Sequence, residues 1–126
     1  MNAKKILVAL VLVLSTLVTS CTKGSIEDSL KGTTWTAILP DDEGWLDLDF
    51  ISDNSVVLIA HDYDGTVEAR AYGSYTYAYP VVDFAITYDD WCNLFKTKIV
   101  GSNMHVTWLD EDIDFEIEGL TFTLQK

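Results

Sequence analysis

Apolar and polar side chains alternate along most of this chain, with the period of a strand rather than of a helix. In Trp45-Leu46-Asp47-Leu48-Asp49-Phe50, Leu46, Leu48 and Phe50 share one phase and Asp47 and Asp49 the other, which describes a strand buried on one face. Met104, Val106 and Trp108 repeat the pattern against His105 and Thr107. Stretches of this kind predict strands over Thr34 to Leu39, Trp45 to Ile51, Val56 to Ala60, Thr66 to Tyr79, Val81 to Tyr88, Phe95 to Val100, Met104 to Leu109 and Ile113 to Leu124. The intervening residues have a mechanism. Asp64-Gly65 suits a hairpin turn that needs positive φ, Asp53-Asn54 and Ser102-Asn103 favour tight turns, and Pro80 interrupts the ladder between two strands. A single helical turn is expected near Asp89 to Leu94. Phe115 and Ile117 share a phase that Leu120, Phe122 and Leu124 break, so a bulge or bend is expected at Gly119. The fold class is therefore all-β. About eight antiparallel strands joined by hairpins close most simply into an up-and-down barrel, because closure removes unpaired edges; a two-sheet β-sandwich is the alternative.

The first 21 residues break this pattern. Lys4 and Lys5 precede an apolar run from Ile6 to Val18, which leads into Val18-Thr19-Ser20-Cys21. A basic start and a short apolar segment describe a secretory signal, shorter than the ~20 apolar residues of a spanning helix. With a cysteine at its end the stretch resembles a lipobox, which implies cleavage between Ser20 and Cys21 and acylation of Cys21. The other readings are a conventional cleavage site or a disulfide between Cys21 and Cys92. Buried acyl chains contribute about 0.8 kcal/mol per methylene, so the expectation is a membrane partner held through an N-terminal lipid anchor rather than a spanning segment. Residues 1–20 are then the signal peptide, 21–29 a lipidated N-terminus and flexible tether, and 30–126 one barrel domain. Thr22 carries no retention aspartate, which by analogy with enteric sorting points to the outer membrane.

Charge narrows the partners. All 20 acidic residues follow Cys21, with six Lys and Arg, so residues 21–126 carry a net −14. No basic cluster exists to neutralise a phosphate backbone, which argues against nucleic acid. Acidity of this kind serves solubility, with a cation or a basic partner surface as the sharper alternative. With Cys21 acylated, Cys92 has no intramolecular partner and is expected to be a small buried apolar residue.

Several segments carry a family resemblance. Leu30-Lys31-Gly32-Thr33-Thr34-Trp35, the tyrosine-rich Tyr72-Gly73-Ser74-Tyr75-Thr76-Tyr77, the hairpin Ile99-Val100-Gly101-Ser102-Asn103-Met104 and the closing Phe122-Thr123-Leu124-Gln125-Lys126 resemble small lipocalin-like lipoproteins of gut Bacteroidetes. The lipocalin Gly-x-Trp spacing is stretched here to Gly32-Thr33-Thr34-Trp35, a start that is also similar to META-type lipoprotein domains. The resemblance implies a barrel and gives Trp35 a structural role at its base.

Chemistry is sparse. There is no Gly-x-Ser-x-Gly and no His-Glu-x-x-His, and the two histidines, His61 and His105, sit alone on strands, so no enzyme activity and no cofactor are expected. Asp47 with Asp49 and Asp112 with Asp114 are spaced as paired carboxylates, yet alternating acids on a strand are ordinarily its solvent face. Asp62, Asp64 and Glu68, and Asp110, Glu111, Asp112 and Asp114, could hold calcium; neither set has the spacing of a calcium loop, and turn chemistry accounts for both without metal. The aromatics are more informative. Tyr75, Tyr77 and Tyr79 share a face of one long strand, whereas Trp45, Tyr63, Tyr88 and Trp91 fall at strand ends or in loops, where a barrel mouth would lie. Those four are the candidate ligand-binding residues. The expected function is a lipid-anchored envelope module that binds a small apolar or glycan-like ligand at the barrel mouth; the alternative is an envelope protein–protein interaction or inhibitor module with a filled barrel.

Overall fold

The computed structural model describes residues 26–111 and 117–125. It is a closed barrel of eight strands: β1 (Thr34–Ile38), β2 (Trp45–Phe50), β3 (Ser55–His61), β4 (Val67–Ala78), β5 (Val81–Tyr88), β6 (Trp91–Val100), β7 (Asn103–Leu109) and β8 (Thr121–Gln125). Every strand pairs antiparallel with its neighbours in sequence, and β8 returns to β1 through Thr34 with Gln125, Trp35 with Leu124 and Thr36 with Thr123. The architecture is the up-and-down barrel, not the sandwich.

Up-and-down order sorts the connections by end. The base carries the chain entering β1 and the turns at residues 51–54, 79–80 and 101–102. The mouth carries residues 39–44, 62–66, 89–90, 110–111 and 117–120. In β2 the expected phase is observed: Leu46, Leu48 and Phe50 are buried, and Trp45, Asp47 and Asp49 stand on the outer wall. Those two carboxylates are tied to the neighbouring strand, where the Thr36 and Thr34 hydroxyls donate to Asp47 and Asp49.

Four local expectations are corrected. Residues 89–94 form no helical turn: Asp89 and Asp90, at φ 51° and 67°, make a two-residue hairpin, and β6 begins at Trp91. Trp108 does not share the inward phase of Met104 and Val106. Thr97 pairs with Val106 but Lys96 pairs with Trp108, so Thr107 is the extra residue of a bulge and Trp108 turns outward. Cys92 is exposed rather than buried, on the outward phase of β6 between Trp91 and buried Asn93. The last strand begins at Thr121; Ile113 to Glu116 lie outside the described residues. The bend at Gly119 is present, with φ 77° and a hydrogen bond from Leu120 N to Ile117 O at 3.1 Å.

The two halves of the interior differ in what fills them. Trp35 is fully buried, and its Nε1 donates to Thr33 Oγ1 at 3.0 Å. Towards the base and the middle, Phe50 meets Tyr75 edge-on at 4.8 Å and Phe84 stacks on Phe95 at 4.5 Å. Gly73 lets β4 approach β5, since a Cβ there would lie 2.3 Å from Ala85 O and 2.6 Å from Ile86 Cα. The segment before β1 is packed on the same end: Leu30 is buried, Ile26 packs against the core, and the Tyr77 hydroxyl donates to Ile26 O. Contacts with the barrel thus reach back to Ile26.

Candidate functional site

At the mouth the inward positions become small. Ala60 on β3 and Ala69 and Ala71 on β4 occupy sites that aromatic rings fill lower down, and between them and the opposite wall a cavity of about 320 Å³ remains. Leu46, level with Ala60, and Leu58 continue this wall, Ile117 and Tyr88 also line the cavity, and Leu39, Pro40 and Glu43 of the β1–β2 connection stand at its rim. Apart from Glu43 and the Tyr88 hydroxyl its side chains are apolar. The volume falls at the small end of the range for ligand pockets, roughly 300–1,000 Å³.

The β1–β2 connection divides this cavity from a second, more open depression of about 510 Å³ on the outer side of the rim, lined by Ile38, Leu39, Asp42, Gly44, Trp45 and Tyr63. The divider is a short 3-10 turn, Pro40–Asp42, in which Asp41 and Asp42 take φ 58° and 57°. Leu39 N donates to Gly44 O at 2.9 Å and closes the loop. Gly44 is forced by proximity as well as by its φ of 114°, because a Cβ would lie 1.9 Å from His61 O.

The four candidate residues are thereby placed. All stand at the mouth end, but they do not form one site. Tyr88 lines the inner cavity, Trp45 and Tyr63 line the outer depression, and Trp91, 62% exposed, lines neither. Trp45 is engaged on one face: its ring stacks on His61 at 4.8 Å and 13°. His61 Nε2 lies 2.9 Å from Asp47 Oδ2 without the alignment of a hydrogen bond, and Nδ1 has no partner among the described residues. Trp45 and His61 therefore act as a packed pair on the rim, with Asp47 beneath them. His105 is remote from them, its Nδ1 3.1 Å from Thr121 Oγ1.

The first acidic set is organised as turn chemistry. The Thr66 backbone N–H and hydroxyl both donate to Asp64, holding its carboxyl below the ordinary carboxylate range, and Tyr63 N donates to Asp62 Oδ1. Among the described residues no three His, Cys, Asp or Glu side chains are grouped to hold a metal ion. Asp112 and Asp114, of the second set, lie outside the described residues, as does Cys21.

Sequence reasoning looked for large exposed rings and missed the small inward residues that make the cavity. The signal was present. Ala60, Ala69 and Ala71 all fall on the inward phase of two adjacent strands near the mouth, Ala60 paired with Ala69 and Ala71 one inward step below, and small side chains clustered on one wall of a barrel leave room.

The fold and the site together define a closed eight-stranded barrel, aromatic at its base and hollow at its mouth. No family model, curated protein or solved structure matches the chain.

Proposed function

We propose that this protein is a lipid-anchored binding module of the cell envelope, held in the outer membrane through Cys21, that admits a small apolar ligand to the cavity at the barrel mouth. The observation that carries the reading is the cavity itself: about 320 Å³, apolar on most sides, next to a core that is otherwise closed by stacked rings. Glu43 and Tyr88 are the polar groups placed to orient a ligand; Glu43 at the rim favours a neutral or cationic head over an anionic one. A glycan has less support, because the outer depression offers it only Tyr63 and the uncovered side of Trp45.

Native mass spectrometry of the mature protein, purified without detergent exchange, tests this. An added mass that survives purification and is lost on unfolding is the expected result. An apo mass, together with no binding of octanol or octylamine in titration, would reject the ligand reading. A second reading, a protein partner gripping the rim, draws on Ile38 and Tyr63, each 72% exposed at the same end. It predicts a complex that is lost in Ile38→Asp and kept when the cavity is filled.

A further inference from the structure

We infer that the closed base of the barrel is the face that rests on the bilayer, so that the mouth opens away from the membrane. The inference rests on the anchor at Cys21 and concerns the opposite end of the molecule from the ligand cavity.

Three observations converge on the base. The first is where the chain enters. Ile26 is fixed there by the Tyr77 hydroxyl, and Ser29 is fixed by a 2.7 Å hydrogen bond to Asp53 in the β2–β3 turn. Only five residue steps separate Cys21 from Ile26, a reach of at most roughly 18 Å even when fully extended. An acylated Cys21 therefore holds the base close to the headgroups, while the mouth lies a barrel's length further off.

The second is what the base exposes. Ile51, 57% exposed, stands at one turn, and Val100, 56% exposed, at another, with Tyr79 and Val81 exposed beside Val100: Ile99 N donates to Pro80 O, and Val81 pairs with Lys98. Aliphatic side chains with a tyrosine among them suit the boundary between headgroups and acyl chains. Glu27, Asp28, Asp53, Lys31 and Lys98 also lie at this end, charges of both signs with no basic excess, so the contact inferred is apolar and not electrostatic.

The third excludes the other end. The mouth connections carry Asp41, Asp42, Glu43, Asp62, Asp89 and Asp90, and their sequence holds no lysine or arginine. An anionic leaflet repels such a surface. Of the two ends, the base is the one that can lie on lipid.

The test uses the full, acylated protein reconstituted in phosphatidylethanolamine/phosphatidylglycerol vesicles. One sample carries a fluorophore on the native Cys92, at the mouth. The other carries it at the base, in Ser102→Cys within a Cys92→Ser background. Doxyl-labelled lipid is expected to quench the base label at least two-fold and the mouth label not at all, with no change on raising salt. Adding Val100→Ser and Ile51→Ser, both at exposed positions that leave the core intact, should reduce the quenching at position 102. Protein that fails to float with the vesicles overturns the anchor and the base contact together. Protein that floats with both labels equally unquenched overturns the base contact and leaves the anchor standing. A base label shielded from aqueous acrylamide yet untouched by doxyl lipid also overturns it, and assigns the base to a second copy of the chain.

Discussion

The two ends of this barrel are built on the same ladder of hydrogen bonds and differ in the side chains that point inward. At the base and middle, Trp35, Phe50, Tyr75, Phe84 and Phe95 fill the lumen ring against ring; at the mouth, Ala60, Ala69 and Ala71 stand at equivalent inward positions and leave it open. An eight-stranded barrel has an interior just wide enough for side chains or one small ligand. Whether a stretch of it is filled or left open is decided by residue size, one inward position at a time, and here both arrangements occur in one molecule. The base is accordingly the tightly packed end and the mouth the hollow one.

The sharpest way to break that contrast is to empty the base. Trp35→Ala removes a fully buried ring and its hydrogen bond to Thr33, and should cost about 3–5 kcal/mol in chemical denaturation, a large share of the stability of a domain this size. If the loss were below about 1 kcal/mol, the base would not be the stabilising end.

A closer comparison uses two inward positions of β4 that are two residues apart. Gly73→Ala places a Cβ against the Ala85 carbonyl and the Ile86 backbone, which cannot give way as a side chain can; a loss of about 1–3 kcal/mol is expected. Ala71→Leu adds more atoms, but into the cavity. It should leave stability within about 1 kcal/mol of the parent while abolishing octanol binding. Equal destabilisation by the two would mean that the mouth is as tightly filled as the middle. Glu43→Gln, on the rim, should leave stability unchanged and narrow the difference between octylamine and octanoate.

The base also makes stability depend on pH. Burial pushes the Tyr77 phenol up to about 12, with smaller contributions from the charges of Tyr79 and Glu27, and burial together with Asp53 raises Tyr75. A phenol held neutral in the folded state adds stability that is fully present below pH 10, where both states are protonated. That stability is lost as pH rises from about 10 to about 12, where the unfolded chain ionises first. Thermal melts should fall across that window, and Tyr77→Phe should flatten the fall while costing about 1 kcal/mol at neutral pH for the lost bond to Ile26.

How much of this the sequence disclosed depends on whether the information was local. Strand alternation in β2 follows from residues that are neighbours in sequence, and so was legible, as were the turn at Asp64-Gly65 and the bend at Gly119. Which end each loop occupies followed once the strands were known to run up and down. The cavity was harder: it needs the inward phases of β3 and β4 aligned across their register, with the bulge that skips Glu68 between Val67 and Ala69 taken into account. The hairpin at Asp89–Asp90 was hidden because its two aspartates reach positive φ without a glycine to advertise it.

Trp108 shows the same limit at a single residue and gives the smallest predicted effect. By unbroken alternation it belongs to the core with Met104, and its truncation should then resemble that of Trp35. The bulge at Thr107 places it outside, 46% exposed, with Lys96 Nζ 5.9 Å from its ring and Lys96 also 3.7 Å from Asp83 across an exposed pair. Such contacts contribute a few tenths of a kcal/mol to about 1 kcal/mol. Trp108→Ser should therefore cost less than about 1 kcal/mol in urea, whereas a loss near that of Trp35→Ala would restore the inward phase and remove the bulge. The two tryptophans thus measure one rule from opposite sides: on a barrel wall a single extra residue decides whether the same ring is core or surface.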